Sequence, residues 1–235
     1  MPPKTQDVAN LSNGNIYLVF YNVFLSLGWL IVLIQTLHHL VYEAGSLDGL
    51  WESTSSVLKI FQSLAILEVI HAAVGLVPSS VAMVIPQVTS RLVILWPVLC
   101  AVNNTHSSIG LPMLLVAWSV TEVIRYAYYF LSILKHVPSI LTFLRYTLFI
   151  VLYPLGVTGE LLCLYAALPT VAKTRMYSIS MPNALNATFD LHSTLIVFAL
   201  LYLPVFPMLY MHMFAQRKKF WARARRQTKQ DMSWR

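Results

Sequence analysis

The chain has little charge. Of its 235 residues only 11% are Asp, Glu, Lys or Arg, and 57% are hydrophobic. A soluble globular domain carries roughly 25% charged and 45–50% apolar residues, so this balance excludes an ordinary soluble domain. It equally excludes a disordered chain, which needs low hydrophobicity and high charge. Cysteine is nearly absent: Cys100 and Cys163 sit in apolar surroundings and form neither a disulfide framework nor a metal site. There is no low-complexity stretch and no repeat of 20–50 residues, which excludes a solenoid or array. Acidic residues number nine against sixteen Lys and Arg, a formal net charge of +7. Eight of those sixteen follow Gln216. The excess is therefore a tail rather than a basic patch on a folded surface, and nucleic acid is not an expected partner.

What is present is long apolar sequence. A bilayer core about 30 Å thick needs roughly 20 apolar residues in a helix. Six runs qualify: 16–37, 57–77, 81–102, 109–134, 140–168 and 191–214. The first is too long for a typical secretory signal and lacks a nearby small-residue cleavage site. Segment 38–56, with Glu43, Asp48 and Glu52, reads as a polar connection; Pro78-Ser79-Ser80 separates the second and third runs, and Pro169 closes the fifth. The predicted fold class is all-α, a polytopic six-helix membrane bundle. It comprises an N-terminal segment 1–14, a six-span domain 15–214 and a basic tail 215–235. Basic residues near span ends favour the cytosolic side. Lys4, Lys135 and the tail would lie there, with Lys173 and Arg175 opposite, and both termini are then cytosolic. The tail would rest on anionic lipid head groups.

Six charges interrupt the apolar runs or sit at their edges: Glu68, Arg91, Glu122, Arg125, Arg145 and Glu160. A charge at mid-bilayer costs about 2.5–3.5 kcal/mol, so such groups face the bundle interior, pair, or line a cavity. Glu68 and His71 are three apart and share a helix face, as do Glu122 and Arg125. Arg125 is expected to pair with Glu122 or across the bundle with Glu68. Two readings stand: a buried polar network fixing helix register, or groups that line or orient a site.

The fifth run holds Tyr153-Pro154-Leu155-Gly156-Val157-Thr158-Gly159-Glu160. Seven residues bring Tyr153 and Glu160 to within roughly 20° of one another around a helix and about 10 Å apart along it. Pro154 removes a backbone donor and frees a carbonyl. Gly156 and Gly159 permit close approach by another helix or by a ligand chain. A phenol and a carboxyl on one face suit acid–base work on a substrate with a lipid tail; packing glycines beside a satisfied carboxyl is the other reading.

The stretch Leu144-Arg145-Tyr146-Thr147-Leu148-Phe149-Ile150-Val151-Leu152, continuing through Tyr153 to Leu161, resembles the motif of the membrane 3-hydroxyacyl-CoA dehydratases, the protein tyrosine phosphatase-like proteins of very-long-chain fatty acid elongation. Segments 67–80, 117–126 and 177–183 agree, as do Tyr21-Asn22 and Gly28-Trp29. The resemblance implies a six-span bundle of the endoplasmic reticulum membrane. It implies removal of water from (3R)-3-hydroxyacyl-CoA to give trans-2-enoyl-CoA, with Tyr153 and Glu160 as the catalytic pair and no metal or redox cofactor. Glu160 as base and Tyr153 as acid is the favoured assignment; the reverse, or Glu160 making both transfers, stays open. Glu68, Glu122, Arg125, His71, Arg145 and Gly156 are candidates for orienting the pair or contacting the thioester and CoA phosphates. Implied partners are the fatty acid elongase, the 3-ketoacyl-CoA reductase, the enoyl-CoA reductase and membrane lipid.

A cysteine phosphatase would need His-Cys-x-x-Gly-x-x-Arg. Here the nucleophile position is Ala72 and the arginine position Pro78. A methyl group cannot become a thiolate, so phosphatase chemistry at this segment is excluded. A non-catalytic scaffold would have no need of the Tyr153–Glu160 pair, and a transporter would be expected to show an inverted repeat, which is absent.

Overall fold

The computed structural model describes residues 11–43, 45–179, 181 and 188–233, with side chains as far as Ala222. Lys4, and Ser180, Pro182 and Asn183 of the last matching segment, lie outside the described residues. The fold is helical, and among the described residues the only β pairing is the isolated Ile179–Phe189 bridge. The helices are α1 Asn13–Tyr42, α2 Leu50–Leu64, α3 Ile66–Ala73, α4 Val81–Val93, α5 Gly110–Ile133, α6 Ser139–Arg145, α7 Phe149–Thr174 and α8 Leu191–Ser233. A π-helical turn, Ile94–Cys100, prolongs α4.

Several boundaries differ from expectation. α2 begins at Leu50, inside the segment read as a polar connection. Its Leu50, Trp51, Thr54, Ser55 and Leu58 recur at helical spacing and are buried, while Glu52 and Ser53 point outward. The fifth run is two helices rather than one. A hydrogen-bonded turn over 146–148 separates α6 from α7. Pro169 does not end α7, which continues to Thr174 and stops where Arg175 turns left-handed at φ 50°. The basic tail begins as a continuation of α8.

Five helical rods are long and apolar enough to cross a membrane: Asn13–Tyr42, Leu50–Ala73, Val81–Cys100, Phe149–Thr174 and Leu191–Ala222. α5 is not among them. It carries Glu122, Arg125 and three tyrosines, and it packs between α1 and α7. A central helix meets protein on both flanks, so it can hold polar groups that a lipid-facing helix could not. Outward faces elsewhere are apolar, with Phe20, Val41 and Leu203 all more than 70% exposed. Lipid would cover such a surface; the multiple apolar helices describe a multi-pass membrane protein.

The core runs along α5. Leu111, Leu114, Leu115 and Trp118 are buried against Cys163, Leu164 and Ala167 of α7 and Leu25, Trp29 and Val32 of α1. α5 and α7 cross at glycines. A Cβ on Gly159 would lie 2.7 Å from the Leu114 nitrogen and 2.8 Å from the Gly110 oxygen, and one on Gly110 would lie 2.5 Å from the Gly159 oxygen. The close approach that the fifth-run glycines permit is therefore taken by a helix at Gly159. α8 docks on α7.

Candidate active site

Glu160 sits on α7 one residue past the Gly110–Gly159 crossing and is 7% exposed. The crossing brings Trp118 of α5 within reach. Its Nε1–H donates to Glu160 Oε1 at 2.7 Å. From the other side the Tyr202 hydroxyl of α8 donates to Glu160 Oε2 at 2.6 Å. Each carboxyl oxygen thus accepts one hydrogen bond, from two different helices, in a buried setting where a charged acceptor is bound strongly.

Tyr153 lies two turns earlier on α7 and is half-buried. Its ring stacks on Phe206 at 5.1 Å and 6° and on Tyr210 at 5.9 Å and 12°. Its hydroxyl meets no hydrogen-bond partner among the described residues. Pro154 helps fix this arrangement. A residue at 154 would ordinarily donate its N–H to the Ile150 carbonyl, and proline cannot. The freed Ile150 carbonyl accepts the Tyr210 hydroxyl at 2.9 Å. One proline thereby ties α8 to α7 beside Tyr153.

A second polar cluster lies across α5. Arg125 makes a two-pronged pair with Glu68, both contacts 2.7 Å, and its Nε donates to Glu122 Oε2 at 2.7 Å. Both partners expected of Arg125 are engaged at once. Arg91 of α4 pairs with the other Glu122 oxygen, and the Tyr126 hydroxyl donates to Glu68. Two carboxylates face two guanidiniums. Arg91 also lies over the Trp118 ring, 5.5 Å from its centre. Through that indole the cluster touches Glu160.

The remaining sequence candidates lie elsewhere. His71 is buried and bonds the Tyr17 hydroxyl at 2.9 Å, edge-on to Tyr21. Arg145 lies at the α6–α7 turn over the rings of Tyr128 and Tyr129, 5.0 and 4.8 Å from their centres. It borders a small cavity of about 50 Å³ with Thr121, Leu148 and Leu152. Gly156 faces Ala117, so its missing side chain serves helix packing. Sequence reasoning missed Trp118 and Tyr202 as partners of Glu160. A readable signal existed for the second: Phe198, Tyr202, Phe206, Tyr210 and Phe214 form an i, i+4 aromatic ladder on α8.

These features define a polytopic helical membrane protein whose buried carboxyl is held between an indole and a phenol, with a second tyrosine on the same helix whose hydroxyl is unpartnered among the described residues. The family profile described as "Protein tyrosine phosphatase-like protein, PTPLA" matches residues 62–223. The chain belongs to that family. It is 47% identical over 203 residues to mouse very-long-chain (3R)-3-hydroxyacyl-CoA dehydratase 2, covering 86% of this chain and 80% of the relative. It is 52% identical over 204 residues to the Caenorhabditis elegans very-long-chain (3R)-3-hydroxyacyl-CoA dehydratase hpo-8, covering 86% and 93%. It is 37% identical over 216 residues to the Arabidopsis thaliana very-long-chain (3R)-3-hydroxyacyl-CoA dehydratase PASTICCINO 2, covering 90% and 96%. No solved structure matches.

Proposed function

We propose that this chain is a very-long-chain (3R)-3-hydroxyacyl-CoA dehydratase, a hydro-lyase of fatty acid elongation. The names of its relatives support the reaction. The observation that carries the residue roles is the contrast between two phenols. Tyr202 is committed to Glu160, while the Tyr153 hydroxyl has no partner among the described residues.

Dehydration breaks the C2–H and C3–O bonds and forms the C2–C3 double bond. Glu160 accepts the C2 proton, which the thioester acidifies, and Tyr153 gives its proton to the departing hydroxyl, which leaves as water. Proton return from Glu160 to Tyr153 resets the pair. Trp118 and Tyr202 donate to a carboxylate, and this favours Glu160 as the base. The Arg91, Glu122, Arg125 and Glu68 cluster positions Trp118; His71, Arg145 and Gly156 act in support and packing rather than on the reacting atoms. No step draws on a metal or redox cofactor.

The finer architecture belongs to the same proposal. Six spans, with α5 as the fourth, leave both termini cytosolic in the endoplasmic reticulum membrane. The site then opens toward the cytosol, where it meets its CoA substrate and the elongase, 3-ketoacyl-CoA reductase and enoyl-CoA reductase. A start of α7 at Phe149 supports this, since Tyr153 is then only about 6 Å along the helix. Purified Tyr153→Phe and Glu160→Gln variants should each lose nearly all turnover of a 3-hydroxyacyl-CoA. Wild-type rates in both would overturn the assignment. A cysteine introduced at Ser139 should label from the cytosolic side.

A further inference from the structure

Where α8 passes the α6–α7 turn, Tyr146, Gln216, Lys219 and Phe220 line an open groove of about 320 Å³. Tyr146 and Phe220 stack at 4.2 Å and 16°, both half-buried, which builds an aromatic platform at the rim. Lys219 is exposed on the groove. The groove therefore joins a flat aromatic surface to an exposed ammonium. Phosphate fits the ammonium, and a nucleobase fits the aromatic surface.

The groove is connected to Tyr153. Tyr153 stacks on Tyr210, Tyr210 meets Phe214, and Phe149 packs on both. The ten residues from Tyr210 to Phe220 span about 15 Å of helix. The pantetheine arm of coenzyme A, about thirteen bonds from sulfur to phosphorus, extends on the order of 15 Å by ordinary bond lengths. A thioester whose reacting carbons lie near Tyr153 would bring its nucleotide to this groove.

We propose that the groove receives the 3′-phospho-ADP end of the coenzyme A thioester, with Lys219 on its phosphates and the Tyr146–Phe220 pair against its adenine. This rests on the dehydratase reading. An anionic phospholipid head group shares the phosphate chemistry, but it has no base to use the aromatic platform.

The test uses full-length protein in detergent micelles free of phospholipid. The two substrates carry one acyl chain, as a 3-hydroxyacyl-CoA and as the 3-hydroxyacyl-pantetheine. Lys219→Glu should lower kcat/KM for the CoA thioester by about tenfold relative to the pantetheine thioester, through KM, since one charged contact is at stake. Lys219→Arg should restore the ratio. 3′-Phosphoadenosine 5′-phosphate should bind the wild type and compete with the CoA thioester, and Lys219→Glu should abolish that binding. An equal effect on both thioesters, or none, would overturn the proposal. So would an effect that appears only in nanodiscs containing anionic lipid, which would assign Lys219 to lipid. A wild-type chain that dehydrates neither thioester would remove the dehydratase reading. Direct binding of the nucleotide, or its absence, would still decide the groove.

Discussion

Each oxygen of Glu160 takes one donor, and neither donor comes from its own helix. Such a carboxyl cannot turn without breaking a bond, so its direction relative to Tyr153 is fixed before substrate arrives. Tyr202→Phe removes one donor and almost no volume; Trp118→Phe removes one donor together with part of a buried indole. A hydrogen bond to a charged group is worth roughly 1.5–3 kcal/mol, so each variant should lose on the order of 10–100-fold in kcat with KM little changed. Steady-state kinetics on equal amounts of folded protein would check this. Unaltered kcat in both would mean that the two bonds do not orient the base. The shared helix face of Tyr153 and Glu160 was legible from their seven-residue spacing, while their proposal as the reacting pair came from the family resemblance. Trp118 was not, because its relation to Glu160 is created by the α5–α7 crossing at Gly110 and Gly159, and no local pattern records which helices cross there.

At the scale of elements, apolar length was readable, and ends were readable only where polar residues adjoin the run, as on both sides of α5. The start of α8 at Leu191 agrees with its run, since the polar loop before it stops the periodicity at once. The α6–α7 division was hidden, because Leu144, Leu148 and Phe149 keep the composition apolar through the turn. α7 remains helical through Pro154. Its missing N–H is answered from α8 by Tyr210. A mutant cycle separates this from ordinary packing. Tyr210→Phe leaves the Ile150 carbonyl unpaired and should cost about 1 kcal/mol. Pro154→Ala supplies a backbone donor to the same carbonyl. The double variant should therefore be more stable than Tyr210→Phe alone by a similar amount, in thermal or denaturant unfolding of the purified protein. No loss from Tyr210→Phe would show that Tyr210 acts only through its ring, and additive losses would show that its hydroxyl does not answer Pro154.

Across the whole molecule four of the intramembrane charges form one connected system. Glu68 on α3, Arg91 on α4, and Glu122 and Arg125 on α5 pair two carboxylates with two guanidiniums. The Trp118 ring beneath Arg91 carries the contact to Glu160 on α7 and thence to Tyr202 on α8. The helices that bring the site together are thus the helices that the network ties. Its members do not weigh equally. Glu122 is 2% exposed and serves both arginines, whereas the Glu68 side chain is 17% exposed and pairs with Arg125 alone. Removing one member of a buried ion pair leaves an uncompensated charge and costs roughly 3–5 kcal/mol. Glu122→Ala should therefore sharply reduce the yield of folded, monodisperse protein extracted from membranes. Glu68→Gln can still accept hydrogen bonds from Arg125 and should reduce that yield far less. Size-exclusion profiles of the two variants at matched expression would measure the difference. Equal yields would mean that the cluster does not depend on Glu122, and that α5 is held at the centre by its apolar packing and the glycine crossing with α7.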